Sequence, residues 1–216
     1  MTKIFRNFAS ALALSLLCGC TAQSFIAEPA PPQIYLLRPR LGPINGPKVD
    51  FTLAIGTPSA PFSLASRRIA IQRSANTLDY YAKAVWQDRT PTLLQRLVVE
   101  GFEDSGKITA VARTQSGLHA DYLLQLDLRR FEADYLSPNG APRAQVSLAA
   151  RLIRLSDRKV VATTRIRTQA SAEHNSIKAA VTAFDRATAK AVKTLVAWTL
   201  AAPPPSRHRR ATPDPD

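Results

Sequence analysis

The most reactive side chains of this chain are two thiols within its first twenty residues, at Cys18 and Cys20. A thiolate is a nucleophile that can be acylated, oxidised to a disulfide or bound to a metal. The sequence holds no third cysteine. Both thiols directly follow the apolar stretch Ala9–Leu17, so their chemistry depends on what this N-terminal segment does.

The N-terminal segment has the parts of a secretory signal peptide. Lys3 and Arg6 precede the apolar stretch, and Gly19 supplies a small residue before a cleavage site. The stretch is too short to cross a bilayer as a helix, which needs about 20 apolar residues. Residues 1–19 are therefore predicted to be a signal peptide, and the cysteine that follows Gly19 indicates that it is a lipoprotein signal peptide.

Leu17-Cys18-Gly19-Cys20 resembles the bacterial lipobox, in which the cysteine becomes the lipidated first residue of the mature chain. We expect Cys20 to carry acyl chains such as palmitate, and Cys18 is the poorer candidate because bulky Leu17 precedes it. Two or more acyl chains anchor a protein stably, at about 0.8 kcal/mol per buried CH₂. Thr21, rather than Asp, follows Cys20, a pattern that favours the outer membrane, facing the periplasm. The alternative is an ordinary signal peptide that is cut near Ala22.

The remaining polar residues form no recognisable catalytic or metal-binding motif. Asp121 and Asp127 fall on one predicted strand, where surface ion pairs with Arg129 or Arg154 explain them best. Glu132 and Asp134 are spaced so that they could pair as an acid and a base, but we do not predict a catalytic role for them. The histidines, at positions 119, 174 and 208, lie in the tail or near element ends. We therefore predict no enzyme, no cofactor and no metal site.

Composition is typical of a globular protein, with 45% hydrophobic and 21% charged residues. The formal net charge of +13 favours contact with anionic lipid headgroups or an acidic partner, although a solvated surface also explains it. Export disfavours nucleic acid as a partner. Loss of the signal peptide leaves at most one thiol, so no disulfide can form within the mature chain.

The lipobox cysteine and two proline-rich segments divide the chain into four parts. We predict the signal peptide over 1–19, the lipidated Cys20 with a Pro-rich tether over 20–33, one domain over 34–201, and a disordered Pro/Arg-rich tail over 202–216.

Apolar periodicity predicts the elements of that domain. Alternation in 121–135, 146–152 and 160–166 indicates an antiparallel meander with one apolar face. A first helix is predicted from Thr90 to Ser105, with Thr90 as its cap and Pro91 at its first position. A second helix is predicted from about His174 to Leu200. Shorter strands are predicted at 34–37, 50–55, 69–71, 78–85 and 108–112. The fold class is therefore α+β, a two-layer sandwich with an antiparallel-rich sheet and two main helices packed on one face.

Aromatic residues at Tyr80, Tyr81 and Trp86 permit two interpretations. Adjacent residues of a strand point to opposite faces, so one tyrosine could contact lipid or protein. The favoured interpretation is structural, with a half-buried strand beside a Trp that packs under the first helix.

The chain resembles the ABC-type transport auxiliary lipoproteins, the family that contains the lipoprotein of the paraquat-inducible Pqi intermembrane transport system. Beyond the lipobox, the segments that carry the resemblance are Ile34–Arg38, Ile69–Arg73, Leu78–Tyr81, Trp86 with Thr90–Phe102, Ala120–Tyr135 and Ala180–Trp198.

The resemblance implies a non-catalytic part of an envelope phospholipid transport system. The implied partner is an MCE-domain protein of an ABC-type transporter, and a homo-oligomer is possible. Of the functional residues, only Cys20 carries over. Two alternatives stay open: a structural or assembly lipoprotein of the outer membrane or cell wall, and a lipid-binding carrier with a cavity between helices and sheet.

Overall fold

A computed structural model describes residues 30–117, 119–135 and 140–202. Its strands and helices belong to one unit that begins at Pro32. Cys20, most of the predicted tether and the predicted tail from residue 203 lie outside the described residues. Within the described ranges, neither helix combines the length and the apolar character that crossing a bilayer requires.

The described residues form eight strands and two α-helices, which confirms the α+β fold class. A short 3₁₀ helix, Thr114–Ser116, follows the fifth strand. The helices are α1 (Thr90–Ser105) and α2 (Ile177–Ala201). The strands are β1 (Gln33–Tyr35), β2 (Thr52–Ile55), β3 (Arg68–Ser74), β4 (Thr77–Trp86), β5 (Ala110–Arg113), β6 (Tyr122–Asp134), β7 (Arg143–Arg154) and β8 (Lys159–Ser171).

All of these strands join one mixed sheet in the part of the chain that the structure describes. The order is β1-β4-β3-β6-β2-β5, and β7 and β8 extend the sheet from β6. The predicted meander is confirmed, because β6–β7 and β7–β8 are long antiparallel ladders. Four pairings are parallel, which the sequence did not predict: β1–β4, β2–β5, β2–β6 and β3–β6.

A bulge in β6 changes which residues face the helices. Leu128 lies opposite Leu148, and Arg130 opposite Ser147, so Arg129 is the extra residue. Before the bulge, the predicted row of Tyr122 and three leucines is buried. After it, Phe131 and Ala133 take over this inward row. The extra residue therefore keeps an apolar inner face along the whole strand.

The C-terminal helix α2 packs on this inner face through an aromatic cluster. The Phe184 ring lies 5.2 Å from the ring of Trp86 and 4.9 Å from that of Phe131, between centroids. All three side chains are fully buried. Helical spacing in this segment predicts an apolar stripe, and its central members are buried: Phe184, Ala187, Ala191 and Leu195. Its other members are only partly buried: Ile177, Val181 and Trp198.

The first helix begins and ends largely as predicted, but Thr90 does not cap it. The Thr90 hydroxyl donates to the carbonyl of Ser66, 3.2 Å away, rather than accepting from the helix. Pro91 lies in the first turn, where its missing N–H costs nothing. Gly106 ends the helix in the left-handed region, at φ 59°, which glycine adopts without strain.

We expect Phe184→Ala to destabilise the chain by about 3–5 kcal/mol, because it removes a buried ring and leaves a cavity between Trp86 and Phe131. Urea denaturation of the full chain measures this loss. The control is Thr182→Ala on the exposed side of the same helix, which should change stability by less than about 1 kcal/mol. A similar loss in both variants would contradict the packing described above.

Candidate functional site

The residue with the strongest functional prediction, Cys20, lies outside the described residues, and its lipidation stays a prediction. His208 also lies outside them. His119 and His174 are both exposed in loops. Across 30–117, 119–135 and 140–202, no three His, Cys, Asp or Glu side chains come together in a way that could hold a metal ion.

The two aspartates of the β6 region make structural bonds. The Asp121 carboxylate accepts from the backbone N–H of Thr52, at 2.7 Å, and from its hydroxyl, at 2.8 Å. The Asp127 carboxylate accepts from Arg129 Nε at 3.1 Å, which confirms the predicted ion pair. Arg154 pairs with Asp157 instead, at 3.1 Å. The bonds between Asp121 and Thr52 join β2 to the start of β6.

Glu132 and Asp134 share one arginine rather than forming an acid and base pair. Arg130 Nε donates to the Glu132 carboxylate, and its Nη2 lies 3.9 Å from the Asp134 carboxylate. Arg130 also donates to the side-chain oxygen of Gln72 in β3, at 2.7 Å. Only 4% of Glu132 is exposed. The group therefore joins the parallel strands β3 and β6.

Burial sets the titration of Glu132. Loss of water around the carboxylate raises the pKa of Glu132 above its ordinary value, although Arg130 and the backbone N–H of Phe131 oppose this rise. The charged form is thus held in the fold at a cost that its hydrogen bonds only partly offset.

The aromatic residues around β4 have structural partners. The Tyr80 hydroxyl donates to the Ser63 carbonyl at 3.1 Å, and the Arg68 guanidinium lies 3.4 Å from the Tyr80 ring centroid. Tyr81 and Tyr135 share a hydrogen bond at 2.8 Å. Burial, reinforced by that bond, raises the pKa of Tyr81. Trp86 is buried as expected, and its ring contacts those of Phe184 in α2 and Phe131 in β6.

Sequence reasoning missed a basic depression on the outer face of the sheet, the face opposite the helices. It is formed by Arg129 of β6, Arg151 of β7 and Arg165 of β8, with a cavity of about 420 Å³ among them. Thr163 also lines the cavity. The signal was present as arginines at alternate positions of β8, but only the strand register brings three strands' arginines together. We call Arg129, Arg151 and Arg165 the sheet-face arginines.

A second depression, of about 400 Å³, lies beside the exposed side of α2. Arg38, Arg40 and Arg186 line it together with Asp185. Asp185 accepts from the backbone N–H of Arg38 at 2.7 Å, which fastens the segment after β1 to the helix. Burial raises the pKa of Asp185, while that hydrogen bond opposes the rise.

Comparison with known proteins gives a consistent relationship. A family model described as the ABC-type transport auxiliary lipoprotein component matches residues 35–196. An uncharacterized protein of Bradyrhizobium diazoefficiens is 31% identical over 206 residues, or 92% of this chain and 54% of that protein. The chain thus spans about half the length of this curated relative.

Two solved structures share the fold. A Xanthomonas campestris protein matches with a TM-score of 0.73 and 36% identity, over 78% of this chain and 94% of that chain. The crystal structure of an uncharacterized protein matches with a TM-score of 0.61 and 14% identity, over 77% of this chain and 97% of that chain. At that identity, the second likeness shows the fold alone.

The raised pKa of Glu132 predicts a specific dependence of stability on pH. The folded chain keeps this proton to a higher pH than the unfolded chain does, so the contribution of Glu132 to stability falls as pH rises through that interval. Glu132→Gln imitates the protonated carboxyl. We expect the stability of the variant relative to the natural chain to increase as the pH rises above the ordinary pKa of a glutamate.

Urea denaturation at several pH values measures this difference. Glu100→Gln is the matched control, because it also removes one carboxylate that is ion-paired with an arginine, here at a more exposed position on α1. A gain for Glu132→Gln no larger than that for Glu100→Gln would contradict the role of burial.

Proposed function

Because the chain belongs to the family of ABC-type transport auxiliary lipoprotein components, we propose that it is a lipid-anchored, non-catalytic component of a phospholipid transport system in the bacterial envelope. The family match over residues 35–196 is the observation that carries the proposal. A lipoprotein of a transport system belongs to the cell envelope. The proposal further specifies how the chain is anchored, in which membrane it lies and which protein it binds.

The proposed anchor is a set of acyl chains on Cys20. The residues between Cys20 and β1, 21–32, are the proposed tether. Two contacts fasten the domain's end of this tether: β1 pairs with β4, and the segment after it bonds to Asp185 through Arg38.

The proposed location is the outer membrane, facing the periplasm, since Thr21 rather than Asp follows Cys20. The proposed partner is the MCE-domain protein of an ABC-type transporter. Restriction to a membrane surface raises the effective concentration of the domain at such a partner, so that a modest affinity is sufficient for docking.

Two features of the described residues support a role without catalysis and without a lipid cavity. The carboxylates Asp121, Asp127 and Glu132 are occupied in hydrogen bonds or ion pairs that join strands or neighbouring residues. The rings of Phe131 and Phe184, tilted and 4.9 Å apart between centroids, pack between α2 and the sheet, where the lipid-carrier alternative requires a cavity.

We expect Cys20→Ala to abolish acylation and release a folded domain from the membrane fraction. The matched control, Cys18→Ala, changes the neighbouring thiol and should stay lipidated and membrane-bound. Intact mass spectrometry reads the added acyl mass, and membrane fractionation reads the location. Full membrane retention of Cys20→Ala, or acylation that is lost only in Cys18→Ala, would contradict the proposed anchor.

The partner is tested by crosslinking the lipidated chain in its native envelope, followed by affinity purification and mass spectrometry. We expect an MCE-domain protein together with its permease and ATPase, and a lower yield from Cys20→Ala because its effective concentration at the membrane is reduced. Recovery of outer-membrane assembly or cell-wall factors without these proteins would favour a structural or assembly lipoprotein instead.

A further inference from the structure

The outer face of the meander carries more positive charge than its own carboxylates balance. Of the sheet-face arginines, Arg129 pairs with Asp127 at 3.1 Å. The guanidinium groups of Arg151 and Arg165 make no hydrogen bond or ion pair within the described residues. A bound anion would balance part of this positive charge.

The strand register explains why the three side chains meet. Arg165 of β8 lies directly opposite Ala149 of β7, and Arg151 lies opposite Thr163. Ala149 in turn lies opposite Asp127 of β6, next to the bulge at Arg129. Ala149 is therefore the centre of the group, and its methyl leaves a depression among longer side chains. The cavity of about 420 Å³ is this space.

The donors around the depression suit a tetrahedral anion. Guanidinium groups bind phosphate oxygens in pairs through planar, charge-assisted forks. Here such forks are contributed by three adjacent strands, with the Thr163 hydroxyl as a further polar group. A phosphate offers acceptor oxygens in several directions, whereas a carboxylate offers two in one plane.

The second depression has a smaller excess of positive charge and makes a useful comparison. Arg186 there donates to the Ser171 carbonyl at 2.6 Å and lies 3.5 Å from the Glu173 carboxylate. Asp185 adds a further carboxyl beside Arg38 and Arg40. Carboxyl groups thus lie among those arginines, whereas at the sheet-face arginines only Asp127 does so.

We propose that the sheet-face arginines form a binding site for a phosphate group. Arg151 and Arg165 are the main ligands, and Arg129 is held beside them by Asp127. Phosphate is the chemistry shared by a soluble phosphate ester and by the headgroup of an anionic phospholipid, and the site recognises the group in either setting. The proposal rests on the described residues alone and does not require the transport role.

The test uses the full chain in a non-ionic detergent at low ionic strength, with phosphorus NMR as the readout. The probes are inorganic phosphate, glycerol 3-phosphate and soluble dihexanoyl phosphatidylglycerol. We expect saturable binding of at least one probe, weakened about tenfold or more in the double variant Arg151→Gln/Arg165→Gln. The control, Arg89→Gln/Arg113→Gln, removes the same charge from exposed positions elsewhere and should bind as the natural chain does.

The probes also separate the two sources of phosphate. Binding of the inorganic ion and the monoester alone identifies a soluble phosphate ester, and binding of phosphatidylglycerol at least as tightly identifies a lipid headgroup. Either result supports the site. No saturable binding, equal weakening in both double variants, or displacement of the probe by acetate at the same concentration would overturn it, the last by indicating a general anion or acidic-peptide surface.

A further pair of variants guards against misfolding of the double variant. Arg165→Lys keeps the positive charge but loses the planar fork, so it should weaken phosphate binding, whereas Arg113→Lys should not. Equal affinity in these two single variants would overturn the assignment of Arg165 as a ligand. This outcome is independent of whether an MCE-domain protein is recovered by crosslinking.

Discussion

The rest of the sheet depends on the backbone pairing of the long strand β6. Its first part bonds to β2 and its last part to β3, while β7 follows it along its length. A single extra residue, Arg129, reverses the facing of the strand midway. Without that bulge, Phe131 would point to the outer face and Glu132 into the aromatic core. The bulge therefore fixes both the core and the outer face, where it places two arginines in succession against Asp127 and Glu132.

Close approach between the two helices is the second constraint. A Cβ added at Gly101 of α1 would lie 2.7 Å from Val192 Cγ1 of α2 and 3.2 Å from Leu41 Cδ1. Only a residue without a side chain fits there. Buried alanines at positions such as Ala187 and Ala191 give α2 a similarly flat contact with the sheet. Small residues thus allow the two helices to approach each other closely at Gly101.

Local pattern predicted the elements of this fold and its antiparallel meander, but not the parallel pairings of the sheet. Alternation and helical spacing gave the meander and both helices, because burial on one face imposes those periods directly. The parallel pairings join segments far apart in sequence, which no local pattern specifies. Thr90 failed as a cap because a tertiary acceptor, Ser66, lies within reach. The sequence analysis also missed the sheet-face arginines, because the β7–β8 register, rather than any local pattern, brings them together. Cys20 is the opposite case, predicted from its neighbours alone.

Weak recognition of a phosphate group becomes effective when the domain is held near a membrane. Exposed arginines are screened by salt over a Debye length of about 8 Å at physiological ionic strength, so Arg151 and Arg165 act only at short range. The proposed acyl anchor on Cys20 would keep the domain where anionic headgroups are concentrated and would raise the effective concentration of phosphate groups at the site. Even a site of low affinity would then be more fully occupied at the membrane than in free solution. Because the site is on the outer face and the aromatic core on the inner one, such binding requires no opening of the helix–sheet contact, and the domain can hold a headgroup as a rigid body.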